Sequence, residues 1–408
     1  MPATAALPGR IRLAALPPLT LYVHVPWCLR KCPYCDFNSH EARGEVPESR
    51  YVDAVVADLE ASVPRVWGRR VHAVFFGGGT PSLFSAAAID RLVTAARTLL
   101  PVEADAEVTL EANPGTFEQE KFRDFRTAGV NRLSVGIQSF DARRLEAIGR
   151  VHGAGEARRA AEIATSTFDN VNLDLMYALP GQSREEALAD IRAAIAFAPS
   201  HLSAYHLTLE PNTAFHRHPP ALPGDDEAAA MQEALEGELG AAGYENYETS
   251  AFARPGRRSR HNLNYWRFGD YLGVGAGAHS KLSYPDRVVR EARHRQPRAY
   301  QDRALAGDAV QEAHEVGPRD LPFEFAMNAL RLAEGFAPSL FTERTGLAIS
   351  AIEGPLARAE ALGLVERDAF AIRPTPRGRR FLNDLLGLFL PGPPRDTIPL
   401  KPERPGKG

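Results

Sequence analysis

LYVHVPWCLRKCPYCDFNSH, residues 21–40, opens on an apolar run and closes on a knot of thiols. Leu21 to Val25 reads as a buried strand. All three cysteines of the chain follow it, as Cys28-x-x-x-Cys32-x-x-Cys35. Three thiolates at this spacing can reach one small iron–sulfur cluster, but they leave one iron of a four-iron cube without a protein ligand. That open corner is available to an exchangeable ligand. With no fourth cysteine in reserve, loss of any one thiol should abolish the cluster.

Other uses of the thiols fit less well. A structural zinc site wants four ligands, usually in two separated pairs. Here only His24 or His40 could supply the fourth, from the same short knuckle. Cys32-Pro33-Tyr34-Cys35 matches the tetrapeptide of glutaredoxin-like thiol redox sites. Those sites belong to small domains without a third cysteine just upstream. Buried structural cysteines would be scattered over core positions instead of sharing one loop.

The chain has 408 residues, enough for two domains or one large barrel with an appendage. A net charge of −3 gives no global attraction to nucleic acid or an anionic membrane. No apolar run is long enough to span a bilayer. The first twenty residues carry Arg10, Arg12 and several prolines, with no apolar core of a signal peptide. We expect a flexible segment over 1–20, a Pro-rich disordered tail over 391–408, and a cytoplasmic, reducing location where thiols stay free.

Outward from the cysteine loop, strand-like runs alternate with amphipathic segments. Leu21–Val25, Val71–Phe76, Glu107–Glu111, Arg132–Gln138, Asn172–Met176 and His201–Leu209 read as parallel strands. Ser49–Val63, Ser85–Leu100, Thr116–Ala128 and Ser183–Ala198 read as helices, the last opened by the capping box Ser183-x-x-Glu186. This order predicts an α/β fold, a partial (βα)6 TIM-like barrel over residues 21–290. The unusual residues fall at the same strand ends. The cysteines follow the first strand, and Gly77-Gly78-Gly79-Thr80-Pro81 follows the second. Glu111 with Asn113-Pro114 ends the third, Gln138 ends the fourth, and Asp174 lies near the end of the fifth. The carboxyl rim of such barrels carries the chemistry, so one shared cavity is expected. The glycines would let backbone N–H and C=O groups meet an ammonium and a carboxylate. Glu111 and Asp174 would need a cationic or diol partner there; a structural ion pair with Arg150 is the alternative. Gly273-Val274-Gly275-Ala276-Gly277-Ala278 reads as close packing at the sheet edge, with a phosphate loop less favoured.

The cysteine spacing after a strand ending in His24-Val25-Pro26 resembles the radical S-adenosylmethionine (radical SAM) superfamily. The resemblance implies a [4Fe–4S] cluster on Cys28, Cys32 and Cys35, with S-adenosylmethionine (SAM) chelating the open iron through its methionine amino and carboxylate groups. In the coproporphyrinogen III oxidase branch, the SAM-binding positions fall on Tyr22, Tyr34, Gly78, Gly79, Thr80, Glu111, Gln138, Arg150, Asp174 and Thr208. The oxygen-independent oxidases carry a fourth cysteine two residues after the third, where this chain has Phe37. Their tyrosine-rich N-terminal segment is also missing. Cys35-Asp36-Phe37-Asn38 and His261-Asn262-x-x-Tyr265-Trp266 are instead similar to the HemW-type haem chaperones.

That resemblance implies haem binding and delivery to haem-accepting respiratory proteins, with a low-potential electron donor for the cluster. It also implies a capacity for reductive SAM cleavage, porphyrin decarboxylation not being the established activity of those chaperones. Radical decarboxylation of coproporphyrinogen III is the enzymatic alternative. An imidazole can ligate haem iron and Tyr and Trp offer flat faces, so His261, Asn262, Tyr265 and Trp266 are candidate haem contacts. Packing of the same residues on the barrel flank is the alternative, and His24, His206, His216, His218 and His279 compete as ligands.

From about residue 308 helices dominate: Leu321–Ala333, Ala337–Thr345 and Ala348–Leu362. Two short strands, Leu364–Arg367 and Ala371–Pro374, and a final helix, Arg377–Phe389, complete a winged-helix-like domain over 308–390. Arg373, Arg377, Arg379 and Arg380 beside the wing raise DNA binding as a third reading. The candidate recognition helix opposes it, carrying Arg358 against Glu353 and Glu360.

Overall fold

The computed structural model describes residues 11–115 and 118–391. The six foreseen strands are β1 (Leu19–Val25), β2 (Val71–Gly78), β3 (Val102–Ala112), β4 (Arg132–Gln138), β5 (Val171–Tyr177) and β6 (His201–His206). They pair in chain order and all run parallel. Helices Glu48–Ser62, Ala86–Leu99, Glu118–Thr127, Ala154–Thr167 and Arg184–Ala196 connect them. The third was expected to begin at Thr116, which lies outside the described residues. Ser183 and Glu186 close the expected capping box, each side chain accepting from the other's backbone N–H.

Side chains alternate across each strand. One face carries Leu21, Val23, Phe76, Leu110, Val135 and Leu173, buried beneath the helices in a single apolar core. The opposite face is polar and largely buried, and it satisfies itself by hydrogen bonds. Asn172 donates to Ser134 Oγ and Asp174 Oδ1, each at 2.8 Å, and Ser203 donates to Asn172 Oδ1 at 3.0 Å. The His201 ring bridges Asn172 Oδ1 (2.7 Å) and Tyr247 OH (2.8 Å). Buried polar groups persist only when paired in this way.

Both edges of the sheet extend further than the sequence suggests. Beyond β6 come β7 (Glu245–Glu248) and β8 (Ala251–Ala253), in the order β6-β8-β7 and antiparallel. On the other side β9 (Asp270–Val274) adds parallel to β1, followed by antiparallel β10 (His279–Tyr284), β11 (Arg287–Arg293) and β12 (Val310–Glu315). The sheet therefore has twelve strands and continues to Glu315, past residue 308 where helices were expected to take over. The glycines of 273–278 are not at an edge, because β9 lies between β1 and β10. Close packing is their role. A Cβ on Gly273 would stand 2.1 Å from the His279 carbonyl, and one on Gly275 (φ +103°) 2.4 Å from the His24 carbonyl.

The C-terminal module has its own core, built on Phe325, Phe336, Phe341, Leu356 and Leu385. The foreseen recognition helix is a 3-10 turn, Ile349–Ile352, leading into a helix over Glu353–Ala361. Pro355, lacking an N–H, fits only the first turn of that helix. The final helix is likewise two pieces, Pro376–Arg380 and Leu382–Gly387. Three of the four basic residues beside the wing (Val365–Arg367 and Ile372–Pro374) have partners within the chain. Arg373 pairs with Asp368 at 2.9 Å, Arg379 donates to Asn246 Oδ1 at 2.9 Å, and Arg380 pairs with Glu233 at 3.4 Å. The last two partners belong to the barrel. Within the expected flexible segment 1–20, residues 1–10 lie outside the described ones. From Ile11 onward the chain is docked: Leu13 is buried, its N–H on the Pro285 carbonyl at 2.9 Å, and the Arg12 N–H reaches Gly346. Of the expected tail, 392–408 lie outside the described residues.

A fully buried ion pair lies within the barrel sheet, beside the contact with the module. Lys281 Nζ meets Asp270 Oδ1 at 2.9 Å and the Phe268 carbonyl at 3.0 Å, while Phe268 packs edge-on against Phe325. Asp270 has a second cation in Arg69, at 2.8 Å, whereas Lys281 pairs with no other carboxylate among the described residues, so removing Asp270 leaves a buried ammonium uncompensated. Asp270→Asn should cost about 3 kcal/mol in urea unfolding; a loss within error of zero would show that stability does not depend on this pair.

Candidate functional site

The cysteine loop is fixed at its base by backbone. After β1, the His40 N–H bonds the Pro26 carbonyl (2.7 Å) and the Ala42 N–H bonds the Cys28 carbonyl (2.9 Å). Lys31 Nζ ties the loop across itself, to the Phe37 and Ser39 carbonyls. Asn38 pins it to the glycine-rich turn, Nδ2 donating to the Ala276 and Arg295 carbonyls, each at 2.9 Å. Beneath it the His24 ring bridges the Asn38 carbonyl and Tyr22 OH, again at 2.9 Å.

The triple glycine docks directly on this loop. Gly79 N–H reaches the Val25 carbonyl at 2.8 Å and Thr80 N–H the Trp27 carbonyl at 2.7 Å. A Cβ on Gly79 would sit 2.5 Å from the Trp27 carbonyl oxygen. One on Gly78 (φ +114°) would sit 2.4 Å from the His24 ring. The sequence suggested glycines that make room for a ligand. The structure shows that the His24 ring of β1 and the Trp27 backbone at the entrance of the cysteine loop fill the space where the Cβ atoms of Gly78 and Gly79 would lie.

The three thiols are unpaired and half-buried. Burial pushes Cys28 and Cys35 above the ordinary thiol range, so an electropositive partner is needed to hold them as thiolates. Donors already face the sulfurs: Arg150 Nη1 lies 3.6 Å from Cys32 Sγ, and Ser39 Oγ 3.6 Å from Cys35 Sγ. Among the described residues no three His, Cys, Asp or Glu converge closely enough to hold a single metal ion. The zinc alternative thus finds no tetrahedral ligand set, whereas thiols serving separate corners of a cube need not converge on one point.

The thiols open onto a cavity of about 380 Å³. Of the ten candidate SAM contacts, Tyr34, Gly78, Gly79, Thr80, Glu111, Gln138, Arg150, Asp174 and Thr208 line it. Tyr22 does not; it lines a second cavity that shares Gly78 and Glu111 with the first. Ser134, Gly136, Met176 and Tyr205 also line the site and were missed. Strand periodicity would have found them, because each sits two or four residues from Gln138, Asp174 or Ser203 along the inner face. Gln138 takes φ +66°, a strained conformation for a side-chain-bearing residue at the strand end.

Glu111 and Asp174 are buried within this wall. Glu111 accepts from the Gly78 N–H at 3.1 Å, and Asp174 bonds Ser134 and Asn172, all neutral partners. The weighed ion pair with Arg150 does not form, since that guanidinium serves Asn113 Oδ1, the Gly136 carbonyl and Cys32. Burial, aided by the neighbouring Asp174, lifts the Glu111 carboxyl to about 8, and burial raises Asp174 too. Among the described residues neither acid is ion-paired, Arg132 acting on both only from a distance, so they are poised to hold a proton or meet a cationic ligand.

His261–Trp266 lie on a short helix, Arg260–Trp266, capped by Ser259 Oγ on the Asn262 N–H. The helix packs against the sheet behind Tyr22, its first N–H groups on Glu107 Oε1. The His261 ring is 5% exposed and stacks on Phe75 at 4.7 Å. Burial holds it neutral, at about 3. Trp266 lies under Arg331, and Tyr265 stacks on Tyr271 at 4.1 Å. Tyr265 alone of the four lines either of these two cavities, the second. The structure therefore does not gather the four candidate haem contacts on a common surface.

Residues 22–194 match the radical SAM superfamily model, and residues 316–381 match the HemN C-terminal domain. The chain is 49% identical to the heme chaperone HemW of Escherichia coli (strain K12), over 93% of this chain and all of that one. It is 45% identical to the heme chaperone HemW of Haemophilus influenzae, over 92% and 98% of the two chains. In fold it is similar to the coproporphyrinogen III oxidase HemN from Escherichia coli, with a TM-score of 0.78 and 24% identity over 92% of this chain and 90% of that one.

The raised Glu111 carboxyl has a signature in the cofactor-free chain. The folded state keeps that proton up to about pH 8, whereas an unfolded carboxyl releases it near its ordinary value, so stability falls as pH rises between the two. Glu111→Gln should therefore raise the thermal midpoint most at the upper end of this window and least at the lower end. An equal shift at both ends would show that Glu111 does not carry the strain.

Proposed function

The chain belongs to the HemW haem-chaperone family of the radical SAM superfamily, and from that membership we propose that it binds haem and delivers it to haem-requiring respiratory proteins. Its rim would hold a [4Fe–4S] cluster and SAM. The observation that carries the rim assignment is the pairing of two buried carboxyls, without a cationic partner, with three unpaired thiols around one cavity. A ligand bearing an ammonium and a sulfonium offers those acids the positive charge they lack.

When bound, the cluster and SAM together supply a low-potential electron and a 5′-deoxyadenosyl radical. The residues hold and orient. Cys28, Cys32 and Cys35 would take three irons, while Ser39 and Arg150 donate toward the sulfurs. Glu111 and Asp174 would meet the ammonium and the ribose, and Gln138, Tyr34, Arg150 and Thr208 would complete the wall. Backbone of Gly78, Gly79 and Thr80, already spent on the cysteine loop through two N–H groups, would position one ligand against the other. We place this activity in the cytoplasm with a low-potential electron donor; among the described residues no helix is long and apolar enough to cross a membrane.

Phe37, exposed on the loop where the oxidases have their fourth cysteine, favours the chaperone over the decarboxylase. The DNA-binding reading is weakened, since Arg379 and Arg380 are paired with barrel residues. Anaerobic reconstitution with iron, sulfide and SAM, followed by haem titration and incubation with coproporphyrinogen III, tests the proposal. Stoichiometric haem uptake without vinyl-bearing product is the expected outcome, and vinyl product would make the chain an oxidase. Cys28→Ser, Cys32→Ser and Cys35→Ser should each lose the cluster signal by EPR; a cluster retained in any of them would remove that cysteine from the ligand set.

A further inference from the structure

The second cavity has about 390 Å³ and adjoins the rim cavity through a shared wall. It is divided from the first by Asp36, Phe37, Gly78 and Glu111, which line both. Its other lining residues include Tyr265, Tyr271, His279 and Arg295. The volume lies in the range of ligand pockets, and its chemistry suits a flat, acidic, metal-centred ring.

Three features support this. The first is an available imidazole. His24, also in this cavity, is buried, and both its ring nitrogens are hydrogen-bonded. His261 is stacked on Phe75 behind Tyr22, outside the cavity, and His206 stacks on Tyr177 in the first cavity. His279 is exposed, and its ring makes no hydrogen bond among the described residues. The second feature is aromatic surface. Phe37 is 61% exposed on the loop side, and Tyr265 and Tyr271 form a stacked pair in the lining. Such rings meet a macrocycle face. The third is positive charge: Arg295 is exposed and in no ion pair among the described residues, ready for a carboxylate.

We propose that this second cavity is the haem site, with His279 as axial ligand, Arg295 on a propionate, and Phe37 with Tyr265 and Tyr271 against the macrocycle. The inference rests on the haem-chaperone reading and gives that cargo a location. The His261–Trp266 motif then contributes Tyr265 to the pocket, while His261 supports the sheet behind it. Cargo would touch Phe37, two residues from Cys35, so the loop that holds the cluster would also form part of the haem wall.

The test is hemin titration of the full, cluster-reconstituted chain under anoxia, read by absorbance and EPR. His279→Ala should lose the imidazole-ligated spectrum and weaken binding by about tenfold or more, and Arg295→Ala should weaken it by a similar factor with the spectrum unchanged. His261→Phe, which preserves the aromatic stack, should bind like the parent. Both exposed replacements should leave the thermal midpoint unchanged, which separates site loss from misfolding. Parent chain that binds hemin while His279→Ala and Arg295→Ala do so equally well would overturn the pocket assignment alone. Loss of the imidazole spectrum in His261→Phe with retention in His279→Ala would also overturn it. Parent chain that takes up no hemin would overturn both this inference and the chaperone reading.

Discussion

Two backbone hydrogen bonds, Gly79 N–H to the Val25 carbonyl and Thr80 N–H to the Trp27 carbonyl, join the second strand's end to the entrance of the cysteine loop. They require the chain to pass where any Cβ would collide with Trp27 or His24. Glycine is the one residue that permits this approach. Gly275 and Gly277 do the same from the other side, against the His24 carbonyl and Asn38. The loop is thus clamped between two glycine-bearing turns, with Asn38 and His24 as pins. A loop that must present three sulfurs to one cluster gains its precision from these contacts, because preorganisation depends on the supporting shell.

The second organising constraint is the polar inner face. Parallel strands are usually apolar on both sides because helices cover them. Here helices cover one side, and the other turns inward onto Asn172, Ser134, Asp174, His201 and Ser203, which satisfy one another. The network holds Asp174 in place without neutralising it. An acid hydrogen-bonded only by neutral groups and deeply buried is poised to accept positive charge. Under the proposed assignment, the two acids on the wall that the thiols share would favour a ligand that brings both a metal-chelating group and a cationic centre.

Much of this was legible in the sequence, and the parts that were not have physical reasons. The six parallel strands were found because their apolar runs are bounded by turns, and the strand-end residues were found because polar residues interrupt those runs. Nine of the ten candidate SAM contacts share the expected cavity. Tyr22 differs because it faces inward from mid-strand, behind Glu111, where a pattern of residue types carries no depth. The antiparallel extension β10–β12 was overlooked: polar and charged residues are mixed through all three strands, and no continuous apolar run announces them. His261 misled for the opposite reason. Its aromatic neighbours suggest a ring-binding surface, but the short helix turns the imidazole inward onto Phe75, and only Tyr265 keeps access to a cavity.

Under the proposed assignments the two cavities are not independent. Glu111 and Gly78 line both, and Phe37 stands on the loop between them. A cationic ligand that draws the proton from Glu111 on one side changes the charge felt on the other, and cargo that presses on Phe37 acts on the loop bearing Cys35. Any such effect must be mutual: if occupancy of the rim alters affinity for the ring, the ring alters affinity at the rim by the same factor. A carrier gains from this arrangement. Binding energy at one pocket can be spent on loosening the other, so cargo release need not wait for spontaneous dissociation. The wall between the pockets is built of Asp36, Phe37, Gly78 and Glu111, so such coupling would call for local movement and not for a domain movement.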